Sequence, residues 1–171
     1  MDQKLSNSTG WSFKNTKTSE DTFLPISKFP TTIHQDLLHH GKINDPFLDS
    51  NESKVQCVGE EAWTYSTSFT KPKVRAEDIK FELVFEGLDT HCTIVLNAKE
   101  IKRTNNMYLE YRVDITDLIK EVNQLELRFQ STFLVGRKME RDAEGKPLFC
   151  HNGDQSRLQV RKAPYAYGWD W

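Results

Sequence analysis

The chain has 171 residues, which is enough for one domain with a hydrophobic core but too few for a (β/α)8 barrel, which needs about 200 or more. Its 23 Lys and Arg residues nearly balance 25 Asp and Glu residues, for a net charge of −2. No basic run stands out, so a nucleic-acid partner is disfavoured. The apolar runs are far shorter than the ~20 residues of a membrane span.

The first residues contain no apolar segment of the kind found in a secretory signal. Cys57, Cys92 and Cys150 are odd in number and widely spaced, and they form no C-x-x-C pair, so they predict neither a zinc site nor a disulfide framework. Reduced cysteines are typical of cytosolic proteins. These features predict a cytoplasmic protein with no metal and no other cofactor.

One α-helix is predicted near the start of the chain. Thr31 or Thr32 can cap it and Gly41 can end it, and an apolar stripe lies between them, formed by Ile33, Leu37 and Leu38. Two polar stretches are predicted to be loop: the first twenty residues or so, and residues 138–147.

From Trp63 onwards, apolar and polar residues alternate with the period of two that is typical of β-strands. In residues 62–69 this places Trp63, Tyr65, Thr67 and Phe69 on one face and Thr64, Ser66 and Ser68 on the other. Similar patterns mark four further segments: residues 79–88, 91–98, 109–115 and 125–129. The sum predicts an all-β fold, an antiparallel β-sandwich with one or two short accessory helices.

Turn formers separate the predicted strands. Asp89 is predicted to bond its own backbone in a turn, and Asn97-Ala98 forms another. Thr116 is predicted to cap a single helical turn over residues 116–121, which Asp114 helps to begin.

The residues that most often carry chemistry form no recognisable catalytic or metal-binding pattern. His34, His39 and His40 lie on the predicted helix, but their intervals of five and one put no two of them on one face, so a metal site is disfavoured. His91 is expected to be structural. His151 lies in a polar loop and could touch a ligand, whereas the adjacent Cys150 is not expected to act as a nucleophile. No carboxylate pair stands out as the acid and nucleophile of a glycosidase.

The last stretch of the chain is rich in aromatic residues with polar tips. Such rings stack on the C–H face of a sugar, and a carboxylate such as Asp170 can accept hydroxyl hydrogen bonds. The same residues have strand spacing and aromatic residues are usually core, so residue type alone favours the interpretation that places them together on one buried face: Tyr165, Tyr167, Trp169 and Trp171.

Four ordered motifs resemble a known family. "RKAPYAYGWDW" at the end resembles the R-K-A-x-Y-x-x-G-W-D-W signature of β-mannosidases of glycoside hydrolase family 2. "FPTTIHQDLLHHGKINDPFLDSNESKVQCVGEEAWTYSTSF", "FEGLDTHCTIVLNAKEIKRTNNMYLEYRVDITDLI" and "NQLELRFQS" resemble further segments of that family in the same order. The stretch "HNGDQSRLQVRKAPYAYGWDW" is most similar to its intracellular fungal branch. Cys57 departs from a usual tryptophan, and Ala98 from the glycine of an L-N-G turn.

The resemblance implies a fold for this chain and places catalysis in a different domain. Residues 11–171 would form a jelly-roll, galactose-binding-like domain that follows a flexible N-terminus over residues 1–10. Both catalytic glutamates would lie on a downstream (β/α)8 barrel, so no catalytic residue is expected in this chain. Asp170 would bond hydroxyls of the terminal mannose, between walls formed by Trp169 and Trp171. Arg161 and Lys162 match the signature and would support the site, either by touching sugar or by holding Asp170 in place.

Two functions follow as hypotheses. In the first, the chain is the non-catalytic N-terminal domain, cut before the barrel, of an exo-acting retaining β-mannosidase. That enzyme would hydrolyse terminal non-reducing β-D-mannose from β-mannoside oligosaccharides or N-glycan-derived substrates. In the alternative, the chain is a stand-alone, lectin-like carbohydrate-binding module. A truncated product with an aggregation-prone aromatic edge is a third possibility.

Overall fold

The computed structural model describes Leu5 and residues 10–17, 22–73, 80–143 and 154–167. Its strands are, in chain order, β1 Ser12–Asn15, β2 Leu24–Pro25, β3 Trp63–Thr70, β4 Glu82–Phe85, β5 Cys92–Leu96, β6 Lys99–Thr104, β7 Tyr111–Asp114 and β8 Val122–Phe129. The α-helices are α1 Ile33–His39, α2 Asn51–Val55 and α3 Thr132–Asp142, and three 3₁₀ helices span Gln56–Glu60, Gln155–Leu158 and Pro164–Tyr167.

Two antiparallel sheets share one core. Six strands pair in the order β2-β1-β3-β8-β5-β6, and β4 pairs with β7 in a second sheet. Leu83 of β4 and Ile115, just after β7, belong to the same buried cluster as Ile94 of β5 and Leu125 of β8. Sheets packed face to face around a common core form a β-sandwich, so the predicted all-β class is confirmed.

The alternation predicted for β3 is present, but its polar face is less exposed than expected. Tyr65 lies opposite Leu127 of β8 and packs against the core, as the period of two requires. Thr64 and Ser66 point the other way and are nevertheless buried. They are short side chains in the middle of a sheet, and the longer side chain of Gln124 reaches across from β8 to bond Ser66.

The loop predicted for the first twenty residues is wrong over β1. This strand pairs with β2 on one side and with β3 on the other. Its Phe13 lies opposite Tyr65 and is buried, as is Trp11 just before the strand. Two large aromatic residues within a polar stretch supply enough buried apolar area to order it as a strand.

Helix α1 is confirmed, and it is tied to the sheet by a buried carboxylate. Thr32 caps the helix by accepting a hydrogen bond from the Gln35 amide at 3.4 Å, and Leu37 faces the core while Leu38 is exposed. Asp36 is fully buried. It accepts hydrogen bonds from the amide and hydroxyl of Ser27, at 2.8 and 2.9 Å, and from the Tyr65 hydroxyl at 3.1 Å. Burial, together with this carboxylate, raises the pKa of Tyr65.

Helix α3 was not predicted, and it replaces part of the loop expected over residues 138–147. Ser131 caps it by accepting a hydrogen bond from the Leu134 amide at 3.1 Å. The alternating pattern of β8 ends just before Ser131. The second half of α3 is polar and shows no apolar helical period, so the sequence pattern does not indicate the helix, which depends on its packing. Helix α2 was also not predicted. No helix in the described ranges is both long and apolar enough to cross a membrane.

The turn after β7 forms, but Thr116 does not cap it. Asp114 accepts hydrogen bonds from both the amide and the hydroxyl of Thr116, at 3.0 and 2.6 Å. The Thr116 hydroxyl oxygen in turn accepts a hydrogen bond from the Phe81 amide at 3.0 Å. Thr116 therefore links this turn to the residue before β4, while Asp114 begins the turn as predicted.

The hairpin between β5 and β6 places an alanine in a conformation that favours glycine. Asn97 and Ala98 have φ values of 51° and 67°. Asparagine is common in this region, and the Asn97 side chain is also held by the neighbouring strand, because its Oδ1 accepts a hydrogen bond from the Gln124 amide of β8 at 3.0 Å. Ala98 has no such compensation, so its backbone is strained.

We therefore expect Ala98→Gly to raise the free energy of unfolding by about 1 kcal/mol, measured by urea denaturation. The matched control is Ala143→Gly, where φ is −76° and glycine relieves no strain. A gain in stability at both positions, or at neither, would contradict the strain at Ala98.

Candidate functional site

The register of the large sheet gathers several loops at one end of the sandwich. Cys92 at the start of β5 lies opposite Thr104 at the end of β6 and Phe129 at the end of β8. Phe129 also lies opposite Trp63 at the start of β3. The loops before β5 and β3, and those after β6 and β8, therefore lie side by side.

Three segments that carry the family motifs meet at this end, and we call them together the motif junction: residues 87–90, 105–107 and 160–167. Asn106 forms a parallel bridge with Arg161. The Met107 amide donates to the Arg161 carbonyl at 3.0 Å, and the Ala163 amide donates to the Met107 Sδ at 3.0 Å. Ala163 is buried beneath these contacts. Residues far apart in the sequence thus hold segment 160–167 in place.

An ion pair joins the remaining part of the motif junction. The Lys162 Nζ donates to the Asp89 Oδ2, and the Thr90 hydroxyl donates to the Asp89 Oδ1. The Lys162 side chain is only 18% exposed. The prediction that Asp89 bonds its own backbone is therefore wrong, because both of its carboxylate oxygens accept hydrogen bonds from side chains. The contact of Lys162 with Asp89 ties segment 160–167 to the loop before β5. The two roles that the resemblance implies for Lys162, touching sugar or holding Asp170 in place, stay predictions.

Two hydroxyl groups brace the loops that carry these contacts. The Thr104 hydroxyl donates to the Thr90 carbonyl at 2.9 Å. The Tyr111 hydroxyl accepts from the Asn106 amide at 3.1 Å and donates to the Asn106 carbonyl at 3.0 Å. Both loops of the motif junction are thus fixed to the sheets by hydrogen bonds of side chains.

Helix α3 holds the other side of the C-terminal segment. Its Gly136 lies so close to Ser156 that a Cβ built at Gly136 would be 2.6 Å from the Ser156 Cβ and carbonyl oxygen. Phe133 meets the ring of Tyr167 edge-on, with the centroids 5.3 Å apart. Glycine thus permits the close approach of α3 to residues 155–158, and the aromatic contact extends it to residue 167.

A charge network also crosses this contact, and the sequence contained no signal for it. The Arg137 Nε donates to the Asp154 Oδ2, and its Nη1 to the Glu60 Oε1, both at 2.7 Å. Burial opposes ionisation of Asp154, but hydrogen bonds from Arg137 and Ser156 outweigh it and lower the pKa of Asp154. The hydrogen bonds that Arg137 donates to Asp154 and Glu60 raise the pKa of Arg137. Arg137 therefore carries its charge between two carboxylates from different segments.

The aromatic residues at the end of the described chain do not form a strand. Pro164–Tyr167 is a 3₁₀ helix, so Tyr165 and Tyr167 do not share a face as strand spacing would require. Tyr165 is 71% exposed, whereas Tyr167 packs on Phe133. Arg161 is exposed and contacts its neighbours through its backbone. Three predicted site residues lie outside the described residues: Trp169, Asp170 and Trp171.

The histidines of α1 form no joint site. His34 is half-buried, and the Nε2 of His40, just after α1, bonds the Pro25 carbonyl at 2.7 Å. Among the residues whose positions the structure gives, no three His, Cys, Asp or Glu side chains are grouped to hold a metal ion. Cys57 is exposed and Cys92 buried, and both are free thiols. Cys150 and His151 lie outside the described residues.

This sandwich, with motif-bearing loops at one end, is the architecture of a sugar-binding-like domain. The family described as "Glycosyl hydrolase 2 galactose-binding domain-like" matches residues 11–171. The chain belongs to this family, and the jelly-roll, galactose-binding-like fold that the motifs implied is confirmed.

Two relatives similar in sequence are fungal proteins. The chain is 46% identical to Beta-mannosidase B of Thermothelomyces thermophilus, over 94% of this chain and 19% of that protein. It is 38% identical to Beta-mannosidase B of Aspergillus clavatus, over 99% of this chain and 20% of that protein. The chain thus spans about a fifth of the length of the curated relatives it matches.

Solved structures extend the likeness. Beta-D-mannosidase from Dictyoglomus thermophilum superposes with a TM-score of 0.81 at 36% identity, over 94% of this chain and 19% of that chain. An exo-chitosanase from Amycolatopsis orientalis has a TM-score of 0.58 at 20% identity, over 71% of this chain and 16% of that chain, and shares the fold. The chain is therefore similar, over nearly its whole length, to the N-terminal domain of family 2 β-mannosidases.

Two histidines make stability depend on pH. Burial lowers the pKa of His34, against a smaller opposing effect of a hydrogen bond with the Val55 backbone, and burial also lowers the pKa of His91. The unfolded chain therefore binds protons first as the pH falls below the ordinary value of 6.5. The stability that comes from keeping His34 and His91 neutral is therefore complete above this pH and is lost as the pH falls below it.

We expect His34→Gln, which can keep a donor near Val55, to flatten the fall in unfolding free energy between about pH 7 and pH 5. Urea denaturation across that range measures the slope. His39→Gln, on the exposed side of α1, is the control and should leave the slope unchanged. Parallel profiles for wild type and His34→Gln would contradict the prediction.

A second prediction tests the contact between α3 and residues 155–158. Gly136→Ala forces the new methyl group against Ser156, so we expect a loss of about 1–3 kcal/mol of stability although alanine favours helices. Arg141→Ala, at an exposed position of α3, should change stability by less than about 0.5 kcal/mol. Thermal and urea denaturation measure both, and a stabilised Gly136→Ala variant would disprove the close contact.

Proposed function

We propose that this chain is the non-catalytic, N-terminal domain of an exo-acting retaining β-mannosidase and that its W-D-W segment forms part of the mannose subsite. The observation that carries the proposal is the motif junction, where the signature residues 161–163 are anchored by the other motif-bearing loops. An anchored segment followed closely by Trp169, Asp170 and Trp171 suits a precise contribution to a binding site.

The proposed site contacts have distinct chemical tasks. The Asp170 carboxylate would accept hydrogen bonds from two hydroxyls of a terminal mannose, and charged acceptors of this kind are the strong ones. Trp169 and Trp171 would form walls against the apolar face of the ring. The substrates would be β-mannoside oligosaccharides or N-glycan-derived saccharides, and both would present a terminal non-reducing β-D-mannose.

The chemistry itself would come from outside these 171 residues. A retaining glycosidase needs one carboxyl that protonates the leaving oxygen and another, about 5–5.5 Å away, that attacks the sugar. We propose that both are glutamates of a downstream barrel domain, which would be the partner of this chain. The 171 residues alone would then hydrolyse no mannoside. The two free cysteines of the described residues support a cytoplasmic location.

The highly exposed Tyr165 favours a second candidate, a stand-alone carbohydrate-binding module. An exposed ring can stack on a sugar without help from another domain. A small ligand, however, needs most of its surface buried for useful affinity, and one wall buries little of it. Calorimetry of the 171-residue chain with mannobiose separates the two candidates, because sub-millimolar binding would favour the module.

The test of the leading proposal is hydrolysis of an aryl β-mannoside by a polypeptide that joins this chain to its downstream sequence. We expect Asp170→Ala to lower kcat/KM by roughly 100-fold or more, because each lost bond to a charged acceptor is worth about 1.5–3 kcal/mol. Asp142→Ala, an exposed aspartate of α3, is the matched control and should keep full activity.

Two results would contradict the proposal. One is an Asp170→Ala variant with unchanged kcat/KM. The other is turnover of the aryl mannoside by the pure 171-residue chain, which would mean that the chain carries catalytic groups of its own.

A further inference from the structure

We infer that Asp89 and Lys162 are positioning residues, whose ion pair sets where the chain leaves the sandwich towards Trp169. The inference rests on the proposed function, because it assigns a task to residues that support the mannose subsite. Neither residue would touch the sugar. Their contact joins residues 73 positions apart and links the loop before β5 to segment 160–167.

The carboxylate side of this pair is held rigidly. One Asp89 oxygen takes the Lys162 ammonium and the other takes the Thr90 hydroxyl, so both oxygens have partners on the protein. Thr90 is buried, and its carbonyl accepts the Thr104 hydroxyl at the end of β6. Asp89 is therefore tied, through Thr90, to the end of β6 at the edge of the large sheet.

Most of the Lys162 side chain is covered by the protein. It is only 18% exposed, and its ammonium pairs with Asp89 at the protein surface. The covered stem and the paired ammonium together tie residue 162 to the loop before β5. Removing either charge would release this tie, because the ammonium could then turn towards solvent.

The backbone around Lys162 is the part that the pair controls. Arg161 and Ala163, its two neighbours, make the hydrogen bonds to Met107 that hold the segment on the sandwich. The Arg161 side chain is exposed. Of the two cationic residues in the signature, Lys162 is therefore the one whose side chain anchors segment 160–167. A shift of about 1 Å at a binding group can lower catalysis about 100-fold, so loss of this anchor would reach the proposed subsite.

The first arm of the test measures hydrogen exchange in the 171-residue chain. In Lys162→Met and Asp89→Asn, we expect the Met107 and Ala163 amides to exchange at least about tenfold faster, because the segment opens locally. Amides of the β3–β8 ladder should exchange as in wild type. Lys162→Arg keeps a cation for Asp89 and should retain protection.

The matched control breaks another lysine–aspartate pair. Lys138 and Asp142 form an exposed pair on α3, so Lys138→Met should leave the motif junction protected. Unchanged exchange at Met107 and Ala163 in both Lys162→Met and Asp89→Asn would overturn the inference. Faster exchange throughout the β3–β8 ladder would also overturn it, since the pair would then stabilise the whole fold.

The second arm measures aryl β-mannoside hydrolysis by the longer polypeptide. We expect Lys162→Met to lower kcat/KM about 100-fold, with recovery to within a few-fold in Lys162→Arg. Wild-type kinetics in Lys162→Met, despite faster exchange, would overturn the positioning role. A wild-type polypeptide that cleaves no mannoside would instead overturn the proposed function, and the exchange arm would still show whether the ion pair anchors the segment.

Discussion

The antiparallel pairing of β3 with β8 is the constraint on which the rest of the structure depends. The two strands pair along their full lengths and turn Tyr65, Phe69, Leu125 and Leu127 towards one core. Strand β5 adds to the free side of β8 and brings Ile94 into the same layer. A slip of one residue would turn all of these side chains to the opposite face, so burial fixes the register. The register in turn decides which loops meet at each end.

That geometry gathers the motif-bearing loops and their supports at one end of the domain. Thr104 ends β6 and Cys92 begins β5 at the same level of the sheet, so the loops that bear Asp89 and Met107 emerge together. Helix α3 starts where β8 ends, and its capping Ser131 donates a hydrogen bond to the Gly59 carbonyl just before β3. Segment 154–167 lies between these supports. The hairpin at Asn97 and Ala98 lies at the far end, so its strain is isolated from the site.

The sequence could predict what depends on local periodicity and could not predict what depends on contacts across the chain. Alternation revealed β3 and β8, and a capping threonine with an apolar stripe revealed α1. Strand β1 was missed because Phe13 is buried only through its pairing with Tyr65 of β3, which the local sequence does not reveal. Helix α3 was missed because Gly136 reads as a helix breaker until its close contact with Ser156 is known. The family motifs include both Lys162 and Asp89, but the two residues are 73 positions apart and no local pattern indicates that their side chains pair.

The signature at the end of the chain therefore divides into parts with different physical tasks. Lys162 pairs with Asp89, and the buried Ala163 donates its amide to the Met107 sulfur at 3.0 Å. These residues would be required in the signature even if no sugar ever reached them. The proposed contacts with a saccharide lie further on, in the carboxylate and indole rings of residues 169–171. Under the proposed function, the signature would join an anchor to a binding group, because a binding group is only as precise as the backbone that carries it.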